Sequence, residues 1–225
     1  SVKKGSFCSL VGANGAGKST LLNAILGFLE YEGDLLLEGV NIKNYSKKIL
    51  SQKISYMPQH INPPFMSVFD ILLSGFNPYV SLFPSKHIKS KVYEFAKEAR
   101  LSEFLDRNIE TLSGGEVQRV MLSKTIIKNP SLIILDEPIS HLDPKHQKES
   151  LEFLKEYSQK NGTTVIAVLH DINWALRMSD TLIGLKEGGI AFVKSSDKVK
   201  REDISMLYEI ECEILRSNDK KFVYY

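Results

Sequence analysis

The chain has 225 residues, 43% hydrophobic and 25% charged, with 29 basic against 27 acidic residues and a formal charge of +2. That length can bury roughly 70–75% of the unfolded surface, enough for one well-packed domain. The near-neutral balance gives no electrostatic reason to expect nucleic acid or anionic lipid as the main partner. Apolar runs such as Leu132 to Leu135 and Val165 to Leu169 fall far short of the roughly 20 residues a membrane-spanning helix needs. No basic start followed by an apolar stretch and a small-residue cleavage site is present, so secretion is not expected. Cys8 and Cys212 sit in apolar segments without metal-ligand spacing. Both read as buried thiols of a reducing cytosol.

In chain order, Ser6 to Val11 is a short apolar strand and Gly12 to Gly17 is glycine-rich. From Lys18 to Leu29 the residues Leu21, Leu22, Ile25, Leu26 and Leu29 recur at helical spacing. A hairpin is expected around Glu38-Gly39 and a strand at Ile54 to Met57. Residues 60–110 change character: prolines at 63, 64, 78 and 84 punctuate the segment, and Ile88, Val92, Phe95 and Ala99 form one stripe of a helix capped by Ser85. This reads as a helical insertion.

Leu132 to Leu135 has the continuous apolar character of a strand buried on both faces. Asp143-Pro144 is a helix start, with Asp at the N-cap and Pro at the first helical position, continued by Leu151, Leu154 and Tyr157. Thr163 to Leu169 is another buried strand, and Asp171 caps a helix reaching Met178. Thr181 to Leu185 and Ile190 to Val193 flank a turn placed at Gly188-Gly189. In the tail, Ile210, Cys212 and Ile214 alternate before a turn at Asn218-Asp219 and a last strand at Phe222 to Tyr225. Strands alternating with helices predict an α/β sheet protein.

Gly12-Ala-Asn-Gly-Ala-Gly-Lys-Ser19 fits the pattern G-x-x-x-x-G-K-[ST] between a strand and a helix. A chance match somewhere in such a chain has odds on the order of 1%. Glycines let successive backbone N–H groups turn inward around phosphate oxygens, and the following helix adds its positive end. Gly12, Asn14, Gly15, Ala16, Gly17, Lys18, Ser19 and Thr20 are therefore the expected nucleotide cradle. Lys18 would reach the β and γ phosphates, and the Ser19 hydroxyl would hold Mg²⁺.

Asp136 and Glu137 follow a buried strand, at the edge where open α/β sheets bind ligands. Asp136 is expected in the Mg²⁺ shell, and Glu137 is expected to polarise the attacking water. Leu112-Ser-Gly-Gly-Glu116 opens another helix, with Ser113 and Glu116 as a capping box. Gly114 and Gly115 leave bare N–H groups that a phosphate could contact.

With these motifs in order, the sequence resembles the ATP-binding subunit of ABC transporters along essentially its whole length from residue 2. The fold this implies is a P-loop NTPase core of the ABC ATPase type, with an antiparallel β subdomain and a helical insertion. The chain would form a single domain, 1–59 and 111–225 being the core and 60–110 the helical subdomain. The resemblance implies a head-to-tail dimer with a second copy, in which Ser113, Gly114, Gly115 and Glu116 of one subunit meet the γ-phosphate held by the other. It makes Gln59 a contact to Mg²⁺ or water, Ser140-His-Leu-Asp143 the loop crossing the dimer interface, and His170 the residue that senses the γ-phosphate. ATP and Mg²⁺ are the implied cofactors.

The segment Phe65-Met-Ser-Val-Phe-Asp-Ile-Leu-Leu, then Gly75-Phe-Asn-Pro-Tyr79, Leu142-Asp-Pro-Lys-His-Gln147 and His170-Asp-Ile-Asn-Trp-Ala-Leu, resembles importers of metal chelates: siderophores, haem and cobalamin. That resemblance implies integral membrane permease subunits docked through Gln59 and the 60–110 face, a solute-binding protein upstream, and a place on the cytoplasmic face of the membrane. Family members stack adenine on an aromatic residue ahead of the phosphate loop, and none of the 11 residues before Gly12 is an equivalent; Phe7 should face the core. Either the chain lacks its first strand or its adenine contact is altered, and a shortened chain is the favoured expectation. The competing readings are a soluble ABC ATPase acting on nucleic acid or ribosomes and a silent regulatory subunit. The spacing of fewer than a hundred residues between Lys18 and Leu112, without sustained heptads, argues against the first; the presence of Lys18, Asp136, Glu137 and His170 argues against the second.

Overall fold

A computed structural model describes residues 1–60, 65–79, 84–217 and 220–225. The elements in order are β1 (Phe7–Val11), α1 (Lys18–Ile25), β2 (Leu36–Leu37), β3 (Val40–Asn41), α2 (Lys47–Lys53), β4 (Ile54–Met57), α3 (Val68–Ser74) and α4 (Lys86–Glu98). Then follow α5 (Gly114–Ile126), β5 (Leu132–Asp136), α6 (Pro144–Asn161), β6 (Thr164–Val168), α7 (Ile172–Met178), β7 (Thr181–Lys186), β8 (Gly189–Ser195), α8 (Arg201–Tyr208), β9 (Glu213–Ser217) and β10 (Lys220–Tyr224).

The main sheet runs β4-β5-β6-β1-β7-β8. Its first five strands are parallel and only β8 pairs antiparallel, with β7. Successive residues of a strand point to opposite faces, so one apolar run feeds two cores. Phe7, Val11, Ile133, Leu135, Val165 and Ala167 join the larger core with α5, α6 and α7. Cys8, Leu10, Ile134, Ile166 and Val168 join the smaller one with Leu22 of α1. Helices thus cover both faces of the sheet.

Several details differ from the sequence reading. Helix α1 stops at Ile25 rather than Leu29, because the chain turns at Gly27 with φ of 75°, and Phe28 and Leu29 are exposed. The last hairpin of the main sheet turns at Glu187-Gly188, not Gly188-Gly189; both residues have positive φ (50° and 77°), and Lys186 pairs with Gly189. Helix α2, capped by Ser46, was not expected because none of its residues is buried and it carries no apolar period. Helix α8 is a further addition to the sequence reading, with Ile204, Leu207 and Tyr208 at helical spacing. The caps at Ser85, Asp143 and Asp171 are present as expected. The β2–β3 hairpin pairs only two residues per strand and stands apart from the main sheet. The turn expected at Asn218-Asp219 and the prolines at 63 and 64 lie outside the described residues.

Both cysteines are free and buried, and burial pushes the Cys8 thiol up to about 12. Phe7 is 1% exposed and does face the core. Among the described residues no helix is long and apolar enough to cross a membrane.

Candidate functional site at the strand ends

Parallel strands bring their C-terminal ends to one edge, so residues far apart in sequence meet there. β1 delivers Gly12, β4 delivers Gln59, β5 delivers Asp136 and Glu137, and β6 delivers His170. Gly12 has a φ of 149°, and a Cβ there would press into the Leu185 carbonyl oxygen of β7. Only glycine lets the chain leave β1 this close to its neighbour. The loop then closes on itself: Lys18, 7% exposed, donates from Nζ to the carbonyls of Gly12 at 2.8 Å and Ala13 at 2.9 Å. Burial lowers the Lys18 pKa, opposed by the charges of Glu137 and Asp136. Asn14, Gly15, Ser19 and Thr20 are exposed, whereas Ala16 is buried against the smaller core.

Ser19 Oγ donates to Asp136 Oδ2 at 3.4 Å. Asp136 is 8% exposed, and its Oδ1 is buried without a hydrogen-bond partner among the described residues. Buried carboxylate oxygens are normally satisfied, so an oxygen pair formed by Ser19 and an orphaned Asp136 suits a hard divalent cation such as Mg²⁺. Burial, then the neighbouring Glu137 charge, raises the Asp136 pKa, while Ser19 and Lys18 partly offset the rise. A carboxyl group whose folded pKa is raised stabilises the fold below its unfolded pKa and loses that contribution as pH rises through the folded value. Ionised, Asp136 therefore costs stability. Asp136→Asn is expected to raise the melting temperature of the nucleotide-free protein, by about 2–4 °C per kcal/mol recovered in a chain of this size, while ATP hydrolysis is lost. A melting curve at or below that of the wild type would contradict this account of Asp136.

Glu137 has a φ of 51°, a conformation costing a residue with a Cβ about 1–2 kcal/mol. Its carbonyl accepts hydrogen bonds from the Ser140 N–H at 3.4 Å and the Ser140 hydroxyl at 3.2 Å, which turn the chain back. The carboxylate is gripped at both ends. Gln59 Nε2 donates to Oε2 at 2.6 Å, and His170 Nε2 bonds Oε1. The tertiary fold thus brings Lys18, Ser19, Gln59, Asp136, Glu137 and His170 together.

Ser113, Gly114, Gly115, Glu116 and Asp143 form a separate group on the α5–α6 side. The Ser113 N–H and hydroxyl each donate to Glu116 Oε2 at 2.7 Å, the expected capping box. Asp143 caps α6 by accepting from the Lys145 and His146 N–H groups at 3.0 Å, and its Oδ2 bonds His146 Nδ1 at 2.6 Å. A Cβ on Gly115 would lie 2.6 Å from the His146 ring, so this glycine has a reason inside the chain. Gly114 has none: nothing lies within 4 Å of where its Cβ would be.

Sequence reasoning passed over four connecting residues. Gln118 donates to the Pro138 carbonyl. Trp174 Nε1 donates to Gln147 Oε1 at 3.0 Å, and Gln147 Nε2 to the Ile139 carbonyl at 3.3 Å. The Gly12 N–H donates to Tyr208 Oη at 3.2 Å. No spacing rule announces such contacts, because each joins different elements of the fold.

A phosphate loop closed by its own lysine, an acidic strand end and a helix-covered parallel sheet define a P-loop nucleoside triphosphatase. The family model described as ABC transporter matches residues 1–140. An ABC transporter ATP-binding protein of Methanocaldococcus jannaschii is 35% identical over 95% of this chain and 84% of its own length. The ferric enterobactin transport ATP-binding protein FepC of Escherichia coli K12 is 32% identical over 95% of this chain and 81% of its own. A solved metal-chelate type ABC transporter in an inward-facing conformation superposes with a TM-score of 0.84 at 25% identity, covering 99% of this chain and 86% of that one. The chain belongs to the ABC transporter ATP-binding family. It is an ATP-binding ATPase.

Proposed function

We propose that this chain energises transmembrane import of an iron or other metal chelate, a siderophore, haem or cobalamin, from the cytoplasmic face of a membrane. The observation that carries the cargo class is similarity over nearly the whole chain to siderophore-import ATPases. The iron(3+)-hydroxamate import protein FhuC of Bacillus subtilis 168, 32% identical over 96% of this chain, stands beside FepC in this respect. A second reading, phosphonate import, has one specific support: the phosphonates import protein PhnC of Hydrogenovibrio crunogenus is 34% identical over 94% of this chain.

In this reading the chain is one ATPase domain with residues 60–110 as its helical subdomain. The phosphate loop and Lys18 hold the ATP phosphates. Ser19, Asp136 and Gln59 would hold Mg²⁺, which when bound neutralises charge on the phosphate oxygens. Glu137 takes the proton of the attacking water, and Gln59 and His170 keep its carboxylate aimed. A second copy, head to tail, presents Ser113 to Glu116 and its Asp143 loop across the interface; a dimeric structure of the cassette MJ0796 with ADP and Pi, 30% identical at a TM-score of 0.73, supports the presence of a second copy. The open space at Gly114 leaves room for a phosphate there.

Permease subunits would dock beside Gln59, where a groove of about 470 Å³ is lined by Tyr56, Met57, His60, Gly75, Lys124 and Lys128 among others. A solute-binding protein would act through that permease, and no nucleic acid takes part. The test has two arms. Capture of the Glu137→Gln protein from native membranes should recover a polytopic permease; recovery of ribosomes or DNA alone would defeat the transport reading. Cells lacking the chain should lose uptake of radio-iron siderophores and keep phosphonate uptake, and the reverse pattern would favour the second reading.

A further inference from the structure

The stretch from α8 to β10 takes no part in the chemistry above, yet it touches the site at two points. At one end, Tyr208 of α8 accepts the Gly12 N–H at 3.2 Å, at the first residue of the phosphate loop. Burial raises the Tyr208 pKa, so it stays a neutral hydroxyl. α8 is itself tied to β7, because Lys186 Nζ donates to the Met206 carbonyl at 3.0 Å and pairs with Glu209 at 2.9 Å.

At the other end, the Asn173 amide clasps one residue of β10 by both of its backbone groups. The Val223 N–H donates to Asn173 Oδ1 at 2.6 Å, and Asn173 Nδ2 donates to the Val223 carbonyl at 3.3 Å. Val223 is 6% exposed and belongs to the larger core with Ile172 and Ala175. Asn173 lies three residues after His170, in the first turn of α7, whose start is fixed by Asp171 accepting the Asn173 N–H at 2.7 Å. β10 is anchored independently of α7: Lys221 Nζ donates to the carbonyls of Ser196, Asp197 and Val199. An amide that satisfies both groups of a buried strand residue leaves the first turn of α7 little freedom.

We propose that α8 and β10 form a strap setting the His170 turn against the phosphate loop, with Asn173 and Tyr208 as its positioning residues. This rests on the role given above to His170. Asn173 acts through His170, and Tyr208 acts through the loop entrance, so the two contacts have different kinetic signatures.

The experiment is steady-state ATP hydrolysis by the whole chain, with thermal melting as the check on folding. Asn173→Ala is expected to lower kcat at least fivefold with KM for ATP within twofold. In a His170→Ala background the same substitution should change the residual rate less than twofold, since the group it positions is gone. Tyr208→Phe, which keeps the ring and its packing, is expected to raise KM about fivefold with kcat within twofold. A kcat for Asn173→Ala within twofold of wild type, or the same factor lost in both backgrounds, overturns the strap. If Asn173→Ala does not fold, Tyr208→Phe decides, and wild-type kinetics for it overturn the proposal. Full activity of His170→Ala would instead remove the role of His170, a failure distinguishable from that of the strap alone.

Discussion

Glu137→Gln is expected to lower ATP turnover by about 10²–10⁴ while leaving ATP affinity nearly unchanged. The side chain keeps its shape, and its left-handed backbone conformation is as tolerable for Gln as for Glu, so the fold should not respond. What is lost is the base. The carboxylate is the group at which the Gln59 and His170 hydrogen bonds converge, and an amide cannot accept a proton from water. In the proposed reading ATP binding rests elsewhere, on the phosphate loop, Lys18 and Asp136. Single-turnover hydrolysis and equilibrium binding of a fluorescent ATP analogue separate the two quantities. Turnover above a tenth of the wild-type rate would rule Glu137 out as the base.

Lys18→Ala is expected to remove most of the ATP affinity. The Lys18 ammonium is nearly buried and, among the described residues, bonded to the carbonyls of Gly12 and Ala13. Those are neutral acceptors that a phosphate outbids, because a phosphate oxygen adds the attraction of a full negative charge to the same ammonium. Losing one partner of a buried charged contact costs about 2–5 kcal/mol, a loss on the order of 30-fold to several thousand-fold in Kd. The apo protein should hardly suffer, since burial already disfavours the lysine charge. Isothermal titration with ATP and Mg²⁺ measures the loss. A Kd within threefold of wild type would show that the loop backbone alone holds the phosphates.

These two effects, one on rate and one on binding, separate roles that the sequence suggests together. The motifs themselves were legible because each is local: the phosphate loop is eight successive residues, and Asp136-Glu137 closes an apolar strand. The buried strands were equally legible, since a parallel strand covered on both faces reads as a near-continuous apolar run. Short elements were not. α2 buries nothing and so has no period to read. The turn at Glu187-Gly188 was misplaced by one residue because two adjacent glycines both invite positive φ, and only the pairing of Lys186 with Gly189 chooses between registers.

By itself the sequence determined the nucleotide chemistry and the family, because phosphate binding needs particular residue types at fixed local spacing, and that spacing survives in one dimension. Tertiary structure alone decided how Glu137 is gripped by Gln59 and His170, why Gly115 must yield to His146 while Gly114 faces open space, and that α8 and β10 reach back to both ends of the site. Those contacts join residues up to 196 positions apart. Hydrogen bonds of that range are made by sheet order and helix packing, and no local pattern encodes them.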